Sequence, residues 1–115
     1  MKYEELEQKV IEWAKEKGIL DKATPLTQLI KTQEELDETR EALIALKAAE
    51  GNPDKQIARS QALAEVEDGI GDMLVTIIIL SKMVGLDSNK CLDSAYNVIK
   101  GRTGKMVNGL FVKDK

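Results

Sequence analysis

Acidic residues at helical spacing are the chemistry-bearing feature of this chain. Glu34, Glu35, Asp37, Glu38 and Glu41 form one cluster, and Glu65, Glu67, Asp68 and Asp72 form another. At about 100° per residue, Glu34, Glu35 and Glu38 fall within an arc of about 100°. Glu65, Asp68 and Asp72 stand at i, i+3 and i+7 and share a face, from which Glu67 is turned away. Asp72 is the sharpest of these, because Met73-Leu74-Val75 follow it directly and the chain there turns apolar. A carboxylate beside such a surface loses hydration, and like-charged neighbours at helical spacing repel it. Three arrangements relieve the conflict: a raised pKa that keeps one acid neutral, a Lys or Arg partner, or a divalent cation. Two facing helices with acids at i, i+3 and i, i+4 make a cage of hard oxygen donors, which suits Mg²⁺, with Mn²⁺ second. The plain alternative for Glu34 to Glu41 is a solvated helix face that binds nothing.

Composition narrows the chemistry further. The 115 residues contain no histidine and one cysteine, Cys91. Without histidine there is no Ser-His-Asp or Cys-His catalysis, no HExxH zinc site and no Glu-x-x-His di-iron centre. A lone cysteine excludes an intrachain disulfide and a Cys-rich metal cage. Polar chemistry is left to carboxylates, Lys, Arg, hydroxyls and amides. The net charge is −3, with 43% hydrophobic and 32% charged residues, a globular balance. Mild acidity and few aromatics argue against nucleic-acid binding. The N-terminus lacks the apolar stretch of a signal peptide. The apolar run Met73–Leu80 is far shorter than the roughly 20 residues of a membrane span. These features predict a cytoplasmic protein with no membrane partner.

Turn and cap residues divide the chain into four helices and a tail, one all-α domain over residues 1–115 of four-helix-bundle type. The first helix covers Tyr3 to Lys17, with Gly18 as its stop. The second starts at Thr24-Pro25, an N-cap followed by proline at the first helical position, and runs to Ala49. Leu26, Leu29, Ile30, Gln33, Leu36, Leu43 and Ile44 are its expected inner stripe. The third extends from about Asp54 to Val84, with Gly69 and Gly71 as the place for a kink. Its segment Met73–Leu80 reads as buried on every side. One short chain has little to surround it with, so burial against another copy, in a dimer or tetramer, is expected. The fourth helix follows Asp87 and ends near Gly101. Asn108-Gly109 is a hairpin-turn signal within Lys105–Val112. Trp13 reads as core or interface rather than a stacking platform.

The segment Gln28 to Glu38, with Lys31-x-x-Glu34-Glu35-x-x-Glu38, resembles the Lys-x-x-Glu-Glu-x-x-Glu helix of the MazG-like nucleotide pyrophosphohydrolases, the all-α NTP pyrophosphatase superfamily. Asp68-Gly69-Ile70-Gly71-Asp72 and the apolar residues after it resemble that family's second metal-binding helix. Ala95 to Met106 is similar to the closing segment of phage-type and Gram-positive-type members. The resemblance covers about Leu26 to Val112. It departs at Gly69, which stands three residues before Asp72 where the Glu-x-x-Asp pattern wants a ligand. Asp68 or Glu65 must take that role, and Glu65-x-x-Asp68 also satisfies the pattern.

The resemblance implies Mg²⁺-dependent hydrolysis of a nucleoside triphosphate between its α- and β-phosphates, giving the monophosphate and pyrophosphate. It implies Glu35, Glu38 and Asp72, with Asp68 or Glu65, as metal ligands and Glu34 as general base. Lys31, Arg102 and Lys105 become phosphate contacts, and Asn97 a sugar or phosphate contact. Residue chemistry is compatible: a polyphosphate approaches a carboxylate cluster only when a cation reverses the local sign. Lys31 has a plainer reading as an ion-pair partner of Glu34 or Glu35, and Arg102 and Lys105 as surface charge. Gly101-Arg102-Thr103-Gly104-Lys105-Met106 is no phosphate loop, because Ser or Thr is missing after Lys105. Two rival readings stay open, a non-catalytic helical interaction module and a degenerate member that binds nucleotide with little turnover.

Overall fold

Five helices and one hairpin make up the computed structural model, which describes residues 1–115. Helix α1 spans Tyr3–Glu16, and a single turn, α2 (Ile19–Lys22), follows it. Helix α3 spans Pro25–Ala49 and begins where the cap residues place it. The Thr24 hydroxyl accepts the Thr27 N–H at 3.1 Å, and the Thr27 hydroxyl accepts the Thr24 N–H at 2.8 Å, satisfying two donors that a helix start leaves unpaired. A 3₁₀ turn at Pro53–Lys55 leads into α4, Gln56–Met83. That helix is unbroken through Gly69 and Gly71, so no break occurs where a kink was expected. Asp87 caps α5, Ser88–Ile99, by accepting the Asn89 N–H at 2.8 Å. Strands β1 (Gly104–Val107) and β2 (Leu110–Lys113) pair antiparallel, with Val107 opposite Leu110. Asn108 and Gly109 both have positive φ, 51° and 80°, the turn that a two-residue hairpin loop requires.

The short link between α3 and α4 makes them an antiparallel hairpin, and their seam is the core. Its buried residues are small or polar: Gln28, Glu35, Thr39, Ala42 and Ala49 from α3, and Ala62, Val66, Gly69 and Thr76 from α4. Small residues let two helix axes approach closely. Gly69 marks the tightest point, where an added β-carbon would clash with the Thr39 hydroxyl and stand 3.1 Å from Thr39 Cβ. Polar stitches fix the register. Gln28 Nε2 donates to the Thr76 carbonyl oxygen at 3.2 Å, and the Thr32 hydroxyl donates to the Thr76 hydroxyl at 2.9 Å.

This seam corrects one expectation and leaves one side of the apolar run in α4 uncovered within a single chain. The stripe of Leu26, Leu29, Ile30, Gln33, Leu36, Leu43 and Ile44 does not face α4; it lies on the exposed side of α3. The close approach at Gly69 selects the small and polar face instead, since the leucines would hold the helices apart. The run Met73–Leu80 is buried on one side only: Thr76, Ile78 and Ile79 are inside, while Leu74 and Ile77 are 45% and 41% exposed. Helix α1 lies against α4, and Tyr3 and Glu7 both hydrogen-bond Ser88 at the start of α5. Helix α5 then leaves α4 at 99° and is exposed beyond Ser88. The chain is mostly helical, but its helices do not close around one core. No single helix is long and apolar enough to cross a membrane.

Candidate functional site

The tight crossing at Thr39 and Gly69 brings the two acidic clusters to one level of the hairpin. Thr39 donates to the Glu35 carbonyl oxygen at 2.7 Å, one turn back along α3. Glu35 therefore projects from the buried seam, and only 9% of it is exposed. Its Oε2 is buried without a hydrogen-bond partner. Its carboxyl is pushed above the usual carboxylate range, first by burial, then by the neighbouring Glu38 carboxylate, then by the charge of Asp72; Lys31 pulls the other way. A buried oxygen with no partner costs about 1–3 kcal/mol, more when charged, and the Lys31 ammonium that offsets this stands 3.7 Å from the other oxygen, Oε1.

Two clefts meet at this point. One, of about 320 Å³, is walled by Glu38, Glu41, Glu65, Asp68 and Asp72, with Ala42 and Gly69 at its floor. The other, of about 460 Å³, is partly apolar and includes Trp13, Thr27, Gln28, Val75, Thr76 and Ile79 together with Lys31, Glu35 and Asp72. Asp72 lines both. The expected ligands Glu38, Glu65, Asp68 and Asp72 thus share one cleft, and Asp72 connects it to the next, which Glu35 lines. As the side chains stand, no three carboxylates are close enough together to hold an ion. The donor set still fits a hard divalent cation. The exposed acids have rotamers free to turn inward, and the unpartnered, charge-crowded Glu35 oxygen is the group a cation would satisfy.

The other expected residues are placed as follows. Lys31 Nζ lies 3.1 Å from Glu34 Oε2 and 3.7 Å from Glu35 Oε1, so its ion-pair reading holds in this structure while it also lines the larger cleft. The Glu34 contact, above all its hydrogen bond, raises the Lys31 pKa. Glu34 is half exposed and stands outside the acidic cleft. Asn97, Arg102 and Lys105 are not brought to the acids. The end of α4 lies eleven residues past Asp72, or about 17 Å at 1.5 Å per residue, and α5 then turns away.

Sequence reasoning left out two contributors. Glu41 walls the acidic cleft, and its i+3 spacing from Glu38 was a signal that pointed there. Trp13, expected in a core or interface, is 46% exposed and borders the cleft that contains Glu35 and Asp72. Nothing in the sequence signals that α1 folds back over this part of α4. Compared with known proteins, the chain matches no family model, no curated protein and no solved structure.

Proposed function

We propose that the chain is a Mg²⁺-dependent nucleoside triphosphate pyrophosphohydrolase of MazG-like type, cleaving between the α- and β-phosphates. One observation supports the reading: a buried Glu35 carboxylate with one oxygen unpartnered, beside Glu38 and Asp72, where an acidic cleft joins a partly apolar one. Glu35, Glu38 and Asp72 would hold Mg²⁺ or Mn²⁺, with Asp68 or Glu65 completing the set from the same cleft. The ion, when bound, neutralises phosphate charge and makes water more acidic.

The chain's own residues do the rest. Trp13 offers a flat apolar wall for a base. The Thr76 carbonyl oxygen can only accept, so it fixes the Gln28 amide with its nitrogen inward and leaves the amide oxygen as a free acceptor. Lys31, at the edge of the larger cleft, is placed to contact a phosphate oxygen. Glu34, at the solvent side, takes the proton of the attacking water, and Glu41 is the second carboxylate positioned for that task. A second reading, a member that binds metal and nucleotide with little turnover, is favoured by Gly69 in the ligand row and by the lack of convergence among the acids.

The deciding experiment is a panel of canonical and modified nucleoside triphosphates with Mg²⁺ or Mn²⁺, read by pyrophosphate release. Glu38→Gln and Asp72→Asn should each abolish release while helical content stays unchanged. Wild-type protein that releases no pyrophosphate from any of them refutes the hydrolase reading. A metal-dependent thermal shift without release then selects the second.

A further inference from the structure

Helix α1 lies along the last turns of α4 and is held at its two ends by different means. Tyr3 meets Ser88, just past the end of α4, while Trp13 borders a cleft with Asp72. Ten residues separate Tyr3 from Trp13 and eleven separate Asp72 from Met83, about 15 Å and 17 Å of helix, so the two helices run antiparallel. Little apolar packing holds α1 down. Ala14 is its one buried residue, and Leu6 and Trp13 are each 46% exposed. A cleft of about 330 Å³, lined by Leu6, Lys9, Val10 and Trp13 from α1 and by Asp72 and Val75 from α4, opens between them. Trp13, Asp72 and Val75 also line the larger cleft that contains Lys31 and Glu35. Helix α1 therefore covers Asp72 without filling the space beside it.

The far end of α1 is tied by polar bonds. Tyr3 Oη and Ser88 Oγ are 3.0 Å apart, and Ser88 donates its one hydroxyl hydrogen to Glu7 Oε2. The Tyr3 hydroxyl must then be the donor to Ser88. The relay runs from Tyr3 to Ser88 to Glu7 and ends on a carboxylate, the stronger kind of acceptor. Ser88 is 7% exposed and is the one buried residue of α5. Its hydroxyl takes no part in capping that helix, which Asp87 does. At the other end, Gly18 joins α1 to α2 with φ 78°, and an added β-carbon there would meet only the Lys22 side chain, at 3.9 Å. We propose that Ser88 is a positioning residue: its relay holds α1 as a lid over Asp72 and seats Trp13 at the cleft, with Gly18 as the hinge. That the lid covers a metal ligand rests on the proposed function; the latch and the hinge do not.

Ser88→Ala breaks both bonds of the relay and leaves the α3–α4 seam untouched. The α1 amides from Gln8 to Glu16 should then exchange with deuterium about tenfold faster, as loss of a hydrogen bond to a charged group implies, with the α3 amides unchanged. Trp13 is the chain's only tryptophan, so quenching of its fluorescence by acrylamide reads the lid without substrate, and it should increase in the variant. Tyr3→Phe removes one hydroxyl at a residue that is 41% exposed, and it should shift both readouts the same way by a smaller amount, which covers the case in which Ser88→Ala unfolds. In the pyrophosphate assay, Ser88→Ala should raise the KM for nucleotide several-fold, while kcat and the Mg²⁺-induced rise in Tm keep their wild-type values. Wild-type protein that releases no pyrophosphate sinks the hydrolase reading alone, and exchange and quenching then decide the lid. Wild-type exchange or quenching in both variants, exchange accelerated as much in α3 as in α1, or an unchanged KM in an active enzyme overturns the inference.

Discussion

Replacing Glu35 by Gln separates what its burial costs from what its carboxylate is for. The side chain is nine-tenths buried, with Oε2 unpartnered and Glu38 and Asp72 adding like charge. Gln keeps the shape and removes the charge. Its amide still lacks a full set of partners, and the change gives up a 3.7 Å attraction from the half-exposed Lys31, which is worth under about 1 kcal/mol. The net effect without metal is a gain of about 1 kcal/mol, or about 4 °C in Tm for a chain of this length. With Mg²⁺ at a hundred times its Kd, wild-type protein gains about 2.7 kcal/mol, or about 11 °C, and the variant gains little. The two melting temperatures should therefore cross: variant higher in EDTA, wild type higher in excess Mg²⁺. The pH dependence has a definite sign. The folded Glu35 binds its proton more tightly than the ordinary value of 4.5, so the charge penalty is absent at low pH and grows as pH rises past 4.5. The gap between variant and wild type in EDTA should close below that pH and open above it. Differential scanning calorimetry across pH, with and without Mg²⁺, checks both. A variant less stable than wild type in EDTA at neutral pH, or a wild-type Tm indifferent to Mg²⁺, would refute the reasoning.

Two further predictions test the geometry around the site. Gly69→Ala should destabilise the protein by about 1–3 kcal/mol through overpacking against Thr39, as measured by urea denaturation. Gly71→Ala is its control: the added methyl meets nothing within 4 Å, so the change should be neutral or add up to about 1 kcal/mol through helix propensity. Trp13→Ala should raise the KM for the preferred nucleotide about tenfold, in keeping with about 1–3 kcal/mol per stacked base, and leave the Mg²⁺-induced rise in Tm intact. An unchanged KM would place the base elsewhere.

Local chemistry made the elements legible. Thr24-Pro25, Asp87 and Asn108-Gly109 each satisfy or preset the backbone within a few residues, and the helix starts and the hairpin turn fall where these residues stand. The shared face of Glu65, Asp68 and Asp72 follows from helical geometry alone, and these residues do line one cleft with Glu38. Facing was a different matter. Leu29, Leu36 and Leu43 carry a stronger apolar signal than Gln28, Thr39 and Ala42, yet α4 packs on the latter, because close approach at Gly69 depends on small volume rather than on hydrophobicity. The same tertiary fact assigned Gly69 its place: a glycine that interrupts a row of acids in the sequence is the contact that lets the two rows face each other. The sequence determined which residues are acids and how each helix spaces them. Only the packing of α3, α4 and α1 decided that Glu35 would be buried with one oxygen unpartnered and that Trp13 would border the same cleft, since both depend on contacts between residues far apart in the chain.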